Sequence, residues 1–274
     1  MKPVTLWIVA LVLTLASAIY QRKTGPSHPV SGKIVLAGQE VKYTFDRSWP
    51  GKTDQPVRLF VADRNITGHI LFHRYNSGDR WTAMLLEREG DALVGFLPHQ
   101  PPAGKLEYRI VLLDGGESFL LPVHNNVITR FRGDVPAWIM IPHILCMFFG
   151  MLVSARAGLQ ALFSDQRLKS YALWSAALIF LGGMVFGPLV QKFAFGEYWT
   201  GFPFGIDLTD NKTLIAMLAW LFALYAVFKS SRKRLYVVLA SLVTLVIFLI
   251  PHSLLGSELD YKEIERQSAA AQQR

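Results

Sequence analysis

Residues 136–157 read PAWIMIPHILCMFFGMLVSARA, an apolar run whose only Lys, Arg, Asp or Glu is Arg156, near its far end. As an α-helix such a run covers roughly 30 Å of hydrocarbon, so it commits the chain to a membrane. Three more apolar runs follow at 171–191, 212–228 and 235–255, giving four expected spans within 136–255. The same opening stretch carries Ile-Pro-His at 141–143, and the tripeptide recurs at 250–252 in IFLIPHSLLGSELDY (247–261).

Composition agrees with the apolar runs. Of 274 residues, 51% are hydrophobic, and the mean hydropathy of +0.29 is high for a soluble protein. The net charge of +8 would suit nucleic acid, but its tightest cluster, KSSRKR (229–234), is wedged between two apolar runs. Positive charge in a short loop between spans is an orientation signal, and no basic face interleaved with aromatics exists elsewhere, so no nucleic-acid partner is expected. The single cysteine, Cys146, excludes an intramolecular disulfide and any zinc or iron–sulfur site built on several cysteines of one chain.

Ahead of the bundle the chain has two other textures. Residues 1–20 hold a short apolar core after Lys2, with Ala16-Ser17-Ala18 as a small-residue cleavage pattern, and read as a signal peptide or an uncleaved signal anchor. Residues 28–132 alternate polar and apolar at period two in VKYTF (41–45), VRLFV (57–61), LEYRIVL (106–112) and ESFLLPV (117–123), with turn signals such as NSGD and DGGE between them. About eight short strands at this spacing predict an immunoglobulin-like β-sandwich. PPAGKLEYRIVLLDG (101–115) resembles the penultimate-strand region of such domains, with Tyr108 at the tyrosine corner. No nucleophile, Walker or dinucleotide motif is present, and the domain reads as a recognition or assembly module.

Charge sets the expected orientation. Arg156, Arg167 and Lys169 surround the first loop of the bundle, and Lys229, Arg232, Lys233 and Arg234 fill the third, whereas 192–211 carries only Lys192. The first and third loops are therefore expected in the cytoplasm, and the β-domain, the loop 192–211 and the polar tail 256–274 on the extracytoplasmic side.

On this topology His143 and His252 lie at similar depth near the outer end of antiparallel spans. Each follows a proline, which frees a carbonyl one turn earlier. Ionisable groups at membrane depth are functional candidates by default. The leading expectation is an electron-transfer subunit in which the pair ligates a b-type haem, with Gly183 and Gly187 admitting the macrocycle to the backbone. An alternative is a zinc, iron or copper ion on His143 and His252 with carboxylates from Asp207, Asp210, Glu258 and Asp260, which would also suit a metal-dependent hydrolase. A third use is a pH response, or binding of a quinone or lipid headgroup. Against these stands a scaffold subunit, its partner a membrane or extracytoplasmic protein, whose histidines only pack. In that version Asp207 or Asp210 caps the helix starting near Lys212, Trp199 belongs to an interfacial belt, Gly183 and Gly187 form a packing face, and Cys146 and Met147 are core. His69 and His73, four apart on one strand, are too far apart for easy shared ligation.

Overall fold

The computed structural model describes residues 2–36, 38–252, 256 and 258–272. It divides into two compact units, one built from Met1–Pro26 with Val135–Ser257, the other from Ser27–Asp134 with Glu258–Arg274.

The first unit is a helical bundle. Helices α1 (Pro3–Thr24), α2 (Ala137–Phe163), the continuous stretch Leu168–Phe195 and α5 (Leu208–Lys229) are each long and apolar enough to cross a bilayer. The stretch Leu168–Phe195 comprises α3 (Leu168–Ile179), a π-helical segment (Phe180–Phe186) and α4 (Gly187–Phe195). The segment expected as signal peptide or anchor is α1, packed along α2 and α6 with Leu6, Ala10, Thr14 and Ser17 buried. The expected last span is shorter than its apolar run. Helix α6 (Lys233–Leu249) stops just before Ile250-Pro251, because the residue preceding a proline is pushed out of the helical region. Small residues bring the helices close: a Cβ at Gly158 would sit 2.3 Å from Ser241 Oγ, and that hydroxyl donates to the Ser154 carbonyl across the α2–α6 contact. Trp220 is fully buried in the bundle core and donates its indole N–H to Thr244 Oγ1 at 2.8 Å, which satisfies the one polar atom of a large apolar side chain.

The second unit is β-rich, with three sheets among the described residues. Strands β1 (Val30–Leu36) and β2 (Gln39–Phe45) form an antiparallel hairpin. A six-stranded sheet runs in the order β3 (Ser48–Pro50), β11 (Val127–Arg132), β9 (Lys105–Asp114), β5 (Thr67–Arg74), β6 (Thr82–Leu85), with β10 (Glu117–Leu121) also paired to β9. A three-stranded sheet orders β4 (Gln55–Phe60), β8 (Ala92–Leu97), β7 (Glu87–Glu89). The period-two pattern of β9 buries Leu106, Tyr108, Ile110 and Leu112 on one face, where they meet Phe45, Leu59, Ile70 and Phe131. Tyr108 spends its buried hydroxyl on the Asp46 carbonyl at 3.4 Å, and burial holds that hydroxyl's pKa above the ordinary tyrosine value.

The polar tail belongs to this second unit. Helix α7 (Tyr261–Gln272) and the residues before it lie against the β-sheets. Lys105 pairs with Glu258 at 2.5 Å, the Leu259 amide donates to the Ala103 carbonyl at 3.2 Å, and the Arg74 guanidinium sits 4.9 Å from the ring centre of Tyr261 and pairs with Glu265. Tyr261 is buried and donates to Gln100 Oε1 at 3.0 Å, burial raising its phenol to about 12.

Candidate functional site

Pro142 lies within α2 and supplies no backbone donor there, and His143 follows it on the half-buried side of the helix. Its imidazole reaches the neighbouring π-helical segment, where Nδ1 lies 2.8 Å from the Gly182 carbonyl oxygen. A carbonyl oxygen can only accept, so Nδ1 carries the proton, and in the neutral ring Nε2 keeps a free lone pair. The same carbonyl also accepts from the Gly187 amide, the five-residue bond that defines the π geometry. A π-bulge thus fixes the tautomer of a membrane-embedded histidine.

His252 stands beyond the end of α6, in a turn, and yet lines the same cavity as His143. The cavity has a volume of ≈ 180 Å³ and lies between α1, α2 and the end of α6, walled by Thr14, Gln21, Met147, Phe148 and Phe248 besides the two histidines. Lys212, His143 and Asp207 are the charged and titratable groups within electrostatic reach of His252. The Ile-Pro-His turn is clamped from two sides. Gln21 Nε2 donates to the carbonyls of Phe248 (2.9 Å) and Ile250 (3.0 Å), and the buried Lys212 ammonium donates to the Ile250 carbonyl at 2.8 Å. These are carbonyls that a helix C-terminus leaves without intrahelical partners.

The other expected site residues have separate duties. Asp207 is the N-cap of α5, accepting from the Thr209 amide at 2.7 Å and from the Thr200 hydroxyl at 3.1 Å. Of the two aspartates expected as caps, Asp207 takes that place, while Asp210 sits in the first turn and accepts from the Thr200 and Gly201 amides at 2.6 and 3.0 Å. Both are buried, and they tie the loop 196–206 onto α5. Glu258 pairs with Lys105 and Asp260 accepts from the Glu263 amide at the start of α7, both in the β-rich unit. No three His, Cys, Asp or Glu side chains among the described residues form a group able to hold a metal ion.

Gly183 and Gly187 differ from each other. A Cβ at Gly183 would fall 2.3 Å from Thr213 Cγ2, so the close approach there is filled by α5. Gly187 lies beside His143, whose Cε1 would be 4.0 Å from an added Cβ. Cys146 and Met147 pack against Gly182, and Met147 also lines the cavity. Trp199 donates its indole N–H to the Phe202 carbonyl at 3.0 Å. In the β-rich unit, His73 Nε2 lies 3.2 Å from Glu107 Oε2 and stacks edge-on to Trp81, away from any shared site with His69.

Gln21, Lys212 and the π-segment carbonyl were invisible to motif reading. Gln21 lies just beyond the segment 1–20 expected as a leader, and Lys212 stands at the start of an expected span. No family model matches the chain, and no curated protein or solved structure is similar to it.

Proposed function

We propose that the protein is a multi-pass membrane electron-transfer subunit that binds a ring-sized, hydroxyl-bearing headgroup of the quinol class in the cavity shared by His143 and His252. The observation that carries this reading is the Nδ1 bond of His143 to Gly182, which leaves Nε2 as an acceptor beside an apolar pocket. A bare Nε2 matches a ligand that donates, so the reduced, hydroxyl-bearing ring is preferred over the quinone, whose oxygens only accept. The volume favours a single ring: an engineered apolar cavity of about 150 Å³ takes benzene, and ≈ 180 Å³ is close to that. The apolar walls and few polar groups are the usual make-up of a small-molecule site. In this account the β-rich unit is an immunoglobulin-like docking module, the site and that module face the extracytoplasmic side, and the basic loops face the cytoplasm.

A b-type haem is the second reading, favoured by the same bond, since axial histidines anchor their distal nitrogen on a carbonyl. A macrocycle needs several times the present volume, which would require α1 to stand away from α2 and α6.

Fluorescence titration of the detergent-purified full chain with a short-chain quinol tests the proposal, beside spectra of the oxidised and dithionite-reduced protein. Saturable binding weakened tenfold or more by His143→Ala, a loss of about 1.4 kcal/mol, supports the quinol site. Equal affinity in both proteins refutes it, and a Soret band lost in either histidine variant replaces it with haem.

A further inference from the structure

Arg156 belongs to none of the machinery above. It sits on α2 about 10 Å from the helix end at Phe163, and it is only 2% exposed. Its Nε and Nη1 have no hydrogen-bond partner among the described residues. Two aromatic rings hold it instead: Tyr171 of α3 with its centre 4.9 Å from the guanidinium carbon, and Trp7 of α1 at 5.5 Å. The rings meet edge to face at 6.2 Å, and Trp7 is 38% exposed. Ser175, one turn beyond Tyr171 on the same face of α3, is also buried with its hydroxyl unpartnered.

A guanidinium is always charged and carries five donors in a planar fork. Cation–π contact offsets part of its desolvation but satisfies none of the N–H groups, and a buried cation without an anion is costly. No carboxylate among the described residues pairs with it, and an anion with several acceptor oxygens suits the three N–H groups that Nε and Nη1 carry.

The position says which anion. Arg156 lies toward the end of the bundle that carries the α2–α3 and α5–α6 connections. Lys2, Arg167, Lys169, Lys229, Arg232, Lys233 and Arg234 are gathered at that end, and Asp165 is paired with Lys233 at 2.7 Å. Basic pockets between spans, at headgroup depth, take lipid phosphates. Arginine reaches that depth from within a helix because its long stem lets the head group travel. We infer that Arg156, framed by Trp7 and Tyr171, binds the phosphate group of an anionic phospholipid or of a free phosphate species, at a site separate from the histidine cavity.

The test compares wild type and Arg156→Met as full chains in phosphatidylcholine nanodiscs, with and without phosphatidylglycerol, and with and without millimolar inorganic phosphate. The readout is the thermal unfolding midpoint. At a ligand concentration about 100 times the dissociation constant the wild type should gain about 5 °C. A gain from phosphatidylglycerol but not from phosphate, lost in Arg156→Met, assigns a lipid. A gain from phosphate in pure phosphatidylcholine, lost in the same variant, assigns the free anion. No gain in wild type, or an equal gain in the variant, overturns the site. Should Arg156→Met fail to fold, native mass spectrometry of the wild type decides: one phosphatidylglycerol retained against excess phosphatidylcholine supports the site, and unselective retention overturns it.

Discussion

Replacing Gln21 by Glu separates a helix that merely delivers the chain to the membrane from one that completes the site. Gln21 Nε2 donates to two carbonyls at the end of α6, those of Phe248 and Ile250. The substitution is nearly isosteric and removes both donors, and an ionised Glu would face two carbonyl oxygens. Each such bond contributes roughly 0.5–1.5 kcal/mol net, and a part-buried carbonyl left unpaired costs at the upper end of that range. Ile250 retains its bond from Lys212, so the full penalty falls mainly on Phe248. The expected loss is about 2 kcal/mol, or roughly 4 °C in the unfolding midpoint for a chain of this size. The assay is helical signal against temperature for the full chain in detergent, with Gln21→Ala as a neutral second variant expected to lose about 1–2 kcal/mol. Unfolding midpoints within a degree of wild type for both variants would refute the packing of α1 against the Ile-Pro-His turn, and with it the shape of the cavity.

Other consequences are more local. Tyr261→Phe removes the bond to Gln100 and should loosen α7 by about 1 kcal/mol, seen as faster proteolytic removal of the tail. Because burial raises the Tyr261 phenol from 10.0 to about 12, its contribution to docking is fully present below pH 10 and is lost as pH rises from 10 to 12; a tail whose protease sensitivity stays flat across that window contradicts the docking described. Gly183→Ala places a Cβ 2.3 Å from Thr213 Cγ2 and should destabilise the bundle by about 1–3 kcal/mol, measured as a lowered unfolding midpoint, whereas Gly187→Ala, with its nearest side-chain contact at 4.0 Å, should cost much less.

The sequence displays the apolar spans because hydropathy is a local property, and it displays the β-rich region because β9 and its neighbours keep strict period two. Its two histidines line one cavity, and His252 reaches it from a turn beyond α6 rather than from within a helix. Pro251 explains the difference: α6 ends at Leu249, and the residue before the proline leaves the helical region. Other features depend on contacts distant in sequence. The Gln21 bonds to α6 cross more than two hundred residues. The π-segment that sets the His143 tautomer has no motif; two adjacent glycines hint at it only once their neighbours are known. The tail reads as polar from its low apolar content, and its docking on the β-sheets rests on one tyrosine and a few ion pairs to residues distant in sequence.

The central claim is that a ring-sized ligand occupies the space between α1, α2 and the Ile-Pro-His turn. Photocrosslinking of the full chain in lipid with an azido-substituted quinol, followed by mass-spectrometric mapping of labelled peptides, addresses it directly. The account predicts label concentrated at 14–21 and 143–151, displaced by excess unlabelled quinol and reduced in His143→Ala. Label spread evenly over the lipid-facing surfaces of all the helices, indifferent to competitor and to His143, would contradict it.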